Sequence, residues 1–72
     1  MSQSLTDEEI DEVEARVEEL KIEHRDLDVA IAALQEQGFV DPMRMRRMKK
    51  RKLFLKDMIS KLESMLIPDM PA

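Results

Sequence analysis

The chain has 72 residues, no Cys, one His and a formal net charge of −4, with charged residues at 39% and aromatics at 3%. A chain this short holds one small domain with a modest core. The missing thiols exclude disulfides and thiolate metal sites, and a single imidazole cannot build a His cluster, so no metal or other cofactor is expected. Glu, Lys, Arg, Leu and Met dominate beside a single Gly, which is the composition of long helices or coiled coil.

The opening "MSQSLTDEEIDE" has neither a basic nor an apolar signal region, which predicts a cytoplasmic protein. No apolar run approaches the roughly 20 residues that span a bilayer. "SLTDEEI" is a helix start: Thr6 is the expected N-cap, Glu9 completes a capping box, and Leu5 and Ile10 take the hydrophobic-staple positions. Asp7, Glu8 and Glu9 suit the positive end of the helix dipole. Ile10, Val13, Val17, Leu20, Leu27, Ile31 and Leu34 then fall on the a and d positions of four heptads, with His24 the polar exception at an a position. The helix is expected over 6–37.

The pattern stops at "QGFVDPM". Gly38 suits the left-handed position after a helix C-terminus, and Asp41-Pro42 reads as an N-cap followed by proline at the first helical position. A turn over 38–41 therefore leads into a second helix over 42–66. There Met45, Met48, Leu55, Ile59, Leu62 and Leu66 occupy a and d, with Lys52 the exception. Pro68 is expected to stop it, leaving 67–72 as a frayed tail.

Folding back at the turn sets Leu34 opposite Met45, and the same register then carries through Ile31–Met48, Leu27–Lys52, His24–Leu55, Leu20–Ile59, Val17–Leu62 and Val13–Leu66. A short loop between helices makes antiparallel neighbours. The expected fold is all-α: an antiparallel two-helix hairpin, coiled-coil-like, as a single domain over 1–72. On the flanks this register sets Lys21 beside Lys56, Glu14 beside Glu63 and Asp28 beside Lys49, of which only the last is favourable.

Two helices share a thin seam, and Ala15, Ile22 and Val29 remain as an outer stripe on the first, while Leu53, Phe54, Met58 and Met65 widen the apolar arc of the second. Each large apolar side chain left in water forfeits about 1.5–3 kcal/mol. Charge is also divided: residues 1–37 carry −9 and residues 38–72 carry +5. The hairpin is expected to be positive at its loop and negative at its open end, so two copies packed antiparallel would neutralise each other as a homodimeric four-helix bundle.

"EHRDLDVAIAAL" (23–34) and "RMKKRKLFLKDMISKLE" (47–63) resemble the YdcH-like family of small bacterial proteins. The matching positions are His24, Leu27, Asp28, Ile31, Leu34, Lys49, Lys50, Lys52, Leu53, Leu55, Lys56, Asp57 and Ile59, and the ending "IPDMPA" is similar too. Met48 stands where Leu is usual, and Met58 where an acid is common. The resemblance implies a short coiled-coil architecture without an established function, and supplies no catalytic residue.

His24 reads as a polar register pin in the seam, bonded to a carboxylate such as Asp28, or as a pH-sensitive one. Lys52 is expected to pack its stem against the seam while its head reaches Asp28 or solvent. No Ser–His or Cys–His pairing can be built, so no enzyme is expected. The acids of "DEEIDEVEARVEE" lie along a helix rather than around a cation-binding loop.

In "MRMRRMKKRK" (43–52), seven of ten residues are cationic. Arg44, Arg46, Arg47, Lys49, Lys50 and Arg51, with Phe54 and Met58, form the candidate interaction surface. The first reading is a non-enzymatic protein acting through self-association and contact with a protein partner. The alternative is a nucleic-acid-associated regulator gripping about 4 phosphates through 44–52. It lacks repeated stacking aromatics, and the net charge opposes it at long range. An anionic lipid surface is a third reading, but one that would require Met45 and Met48 to leave the seam.

Overall fold

The computed structural model describes residues 5–67, folded into two helices, α1 (Asp7–Glu36) and α2 (Pro42–Leu66), packed against each other as an antiparallel hairpin 50 Å long. No strand occurs among the described residues.

Helix α1 begins where local chemistry demands it. The Glu9 backbone N–H donates to Thr6 Oγ1 at 3.1 Å, and the Thr6 N–H donates to Glu9 Oε1 at 3.0 Å, closing the capping box. The bond from the Thr6 backbone also holds the Glu9 carboxyl below its usual range. At the far end Gly38 takes φ +71°, a left-handed conformation that costs glycine little, and its N–H reaches the Gln35 carbonyl at 3.2 Å. Asp41 then caps α2 by accepting from the Met43 N–H at 3.0 Å, with Pro42 in the first turn. Ile67 leaves helical geometry. The expected stop at Pro68 and the tail beyond it lie outside the described residues.

Burial follows the heptads. Among the described residues Val17, Leu20, Ile31 and Leu55 are the buried side chains, with Leu20 and Leu55 almost wholly enclosed. Ile10, Val13, His24, Leu27, Leu34, Met45, Met48, Lys52, Ile59, Leu62 and Leu66 are half-buried. Every a and d position is thus at least partly covered, and little else is. Four enclosed side chains make a thin core for a chain of this length, as expected of a single helix–helix seam.

The flanks depart from the expected pairing. Lys21 bonds Glu63 at 3.2 Å, and Glu14 forms no ion pair among the described residues. Asp28 pairs not with Lys49 but with Lys52, the reach expected of that seam lysine. The reason is side-chain direction: every helical Cα–Cβ bond leans toward its own N-terminus. In an antiparallel pair the two leans oppose, so Lys21 and Asp28 meet partners farther along the facing helix than Cα register suggests. The lean does not account for the other flank, where Arg51 reaches Glu23 at 3.1 Å from the loop side.

Candidate interaction surface

The loop end of α2 carries the basic run, and the structure divides its seven cations into two groups. Arg51 and Lys52 belong to the hairpin. Arg51 bonds Glu23 across the seam, and its guanidinium carbon lies 5.5 Å from the centroid of the Phe54 ring, within cation–π range. Lys52 packs its stem at a seam position and its ammonium bonds Asp28, which holds the Asp28 carboxyl below its ordinary range. Arg44, Arg46, Arg47, Lys49 and Lys50 form no ion pair among the described residues, and all five are exposed.

A shallow open groove of 590 Å³ runs along α2 here, lined by Pro42, Met45, Arg46, Lys49, Lys50 and Leu53. Its floor is apolar and its rim cationic. Leu53, two-thirds exposed, closes one end. Beyond it lies further uncovered apolar surface: Phe54 at 51% exposure and Met65 at 48% on α2, Ile22 and Val29 on the outer side of α1, and Phe39 and Met43 at the turn. Met58 is half-buried.

The candidate residues do not all share one place. Arg46, Lys49 and Lys50 meet at the groove, whereas Arg51, Phe54 and Met58 lie toward the opposite flank, the side of the Glu23 pair. The groove itself escaped the sequence reading because Met45 and Leu53 were assigned to the seam and the outer arc separately. The signal was there, since 42, 45, 46, 49, 50 and 53 follow the three-four spacing of one helix face. The Arg51–Phe54 contact was likewise legible as an i,i+3 pair.

His24 lies in the seam as expected, but without the expected carboxylate bond. It is half-buried in the seam, its Nε2 is enclosed, and no hydrogen-bond partner reaches that nitrogen. Asp28, one turn on, is committed to Lys52 and leaves the imidazole unbonded. Among the described residues no cluster of His, Asp or Glu could hold a metal ion, and no helix is long and apolar enough to cross a membrane.

A family model described as "Protein of unknown function (DUF465)" matches residues 17–63, which includes most of both helices and the turn. It leaves out the capping box at the start of α1. No curated protein and no solved structure matches the chain.

Proposed function

The chain belongs to the DUF465 family, and we propose that it is a small non-enzymatic, cytoplasmic interaction protein that forms a homodimer and presents its surface to a protein partner. One observation carries this reading. Among the described residues four apolar side chains are enclosed, while Ile22, Val29, Leu53, Phe54 and Met65 stay about half exposed or more. That much apolar surface, rimmed by charge, is the character of an interaction face. Pairing two hairpins into a four-helix bundle covers part of it at no cost in new sequence and leaves the rest for a protein partner.

The test is mass by light scattering after size-exclusion chromatography in low salt, read together with absorbance at 260 nm. The chain has no Trp or Tyr, so co-purified nucleic acid is conspicuous. A particle of twice the 8.4 kDa chain with negligible absorbance supports the reading, and a monomer at micromolar concentration defeats it.

The second reading, a nucleic-acid-associated regulator, is favoured by the five cations that bond nothing within the hairpin. Changing Arg46, Arg47, Lys49 and Lys50 to Gln separates the two, because it leaves the Arg51 and Lys52 pairs intact. Loss of the dimer with unchanged RNA and DNA binding supports self-association. The reverse supports the regulator.

A further inference from the structure

We infer that the groove on α2 is the docking site for the acidic start of α1 from a second copy, so that one face of the hairpin is complementary to itself. This rests on the self-association proposed above and specifies which surfaces meet. Three observations carry it.

The first is that both surfaces lie on the same side of the hairpin. Asp7, Glu14, Lys21 and Asp28 recur every seven residues along one flank of α1, and Pro42, Lys49, Lys56 and Glu63 do so along α2. The Lys21–Glu63 bond ties these two flanks together across the seam. Pro42 and Lys49 line the groove, so the groove opens on that side.

The second is charge. At the open end of this face Asp7, Asp11, Glu14 and Glu18 recur at spacings of four, three and four, and none of them forms an ion pair within the described residues. At the loop end Arg46, Lys49 and Lys50 are equally unpaired. Half-buried Ile10 borders the acidic strip as Met45 and Leu53 border the basic rim, so each surface offers an apolar edge beside its charge.

The third is dimension and symmetry. The groove runs from residue 42 to 53 and the strip from 7 to 18, each twelve residues spanning about 16 Å of helix. A two-fold axis lying in the plane of this face and running across the helices brings two copies face to face with their ends exchanged. Each acidic strip then lies on the partner's groove, the contact is made twice, and the assembly closes at two copies rather than growing into a filament.

Charge reversal tests this. Arg46→Glu, Lys49→Glu and Lys50→Glu together form one variant, and Asp11→Lys, Glu14→Lys and Glu18→Lys the other. All six positions are exposed and outside the hairpin's ion pairs, and far-UV circular dichroism verifies that each variant retains its helix. Sedimentation velocity should show each variant dimerising at least about a hundredfold more weakly than the wild type, since like charges are then juxtaposed across the contact. An equimolar mixture should recover a heterodimer, because reversed groove and reversed strip attract again.

A wild-type dimer that survives either reversal with unchanged affinity overturns the docking and leaves self-association standing on another face. Failure of the mixture to associate also overturns it. A monomeric wild type overturns both proposals. A labelled single-stranded RNA that binds wild type stoichiometrically and dissociates the dimer assigns the groove to a polyanion instead, and overturns the docking as well.

Discussion

Replacing His24 by Leu should stabilise the hairpin. The imidazole sits at a seam position with its Nε2 enclosed and unbonded, in the expected layer of Leu55, which is fully buried. A buried polar atom deprived of water and given no partner costs about 1–3 kcal/mol. Leucine removes that cost and adds apolar contact with little change of volume, against which stands only a weak attraction between the ring and exposed Asp28. A net gain of about 1–3 kcal/mol corresponds to roughly 5–20 °C in the melting midpoint of a domain this small. The assay is thermal and urea unfolding followed by circular dichroism at 222 nm. Protein concentration must be fixed, because dimerisation makes the midpoint concentration-dependent. Light scattering on the same samples establishes that leucine at an a position has not changed the oligomeric state. An unchanged or lower midpoint would refute the reasoning: the nitrogen would then be satisfied in solution, by water or by a group of a second copy.

Leu55→Ala should cost about 2–5 kcal/mol, a large share of the stability available to 72 residues, and should abolish the cooperative helical transition at ambient temperature; near-native unfolding would mean the seam does not hold the fold. The Asp28 carboxyl, titrated by NMR, should ionise below the usual aspartate range in the wild type and return to it in Lys52→Met. Its folded-state affinity for protons is the lower one, so its contribution to stability is present above the unfolded aspartate range. That contribution is lost as pH falls through the folded value, and an acid limb identical in both proteins would show that the pair contributes nothing.

Fold and surface were unequally legible in the sequence. The seam could be read because heptad spacing is a property of one helix at a time, and because the turn residues Gly38, Asp41 and Pro42 announce their backbone geometry through their own chemistry. The flank pairs were misread because they depend on the lean of two side chains in opposite directions, which Cα register ignores. Lys21–Glu63 is the result. The solitude of His24 was hidden for a related reason: Asp28 lies one turn away in sequence, but Lys52 from the facing helix claims it first. The groove required knowing which side of α2 the seam leaves open.

The basic run is expensive for the helix that contains it, and this bears on what it is for. Arg44, Arg46 and Arg47 sit in the early turns of α2, at the positive end of its dipole, and the first turn has no acid to offset them. Arg44–Arg47, Arg46–Lys49, Arg46–Lys50, Arg47–Lys50 and Arg47–Arg51 are like-charge neighbours at i,i+3 or i,i+4, each unfavourable by about 0.2–0.5 kcal/mol at low ionic strength. The hairpin's own pairs account for Arg51 and Lys52 only. If the other cations serve the fold, changing Arg46, Arg47, Lys49 and Lys50 to Gln should weaken it. If they serve a partner, the same variant should make the isolated hairpin more stable, by about 1–2 kcal/mol once these repulsions are relieved. Urea unfolding in low salt, at concentrations where both proteins are monomeric, decides between them. We expect the variant's midpoint to be higher, with the difference vanishing as salt screens the charges. A lower midpoint would make the basic run part of the fold and remove the reason to seek an acidic surface for it to meet.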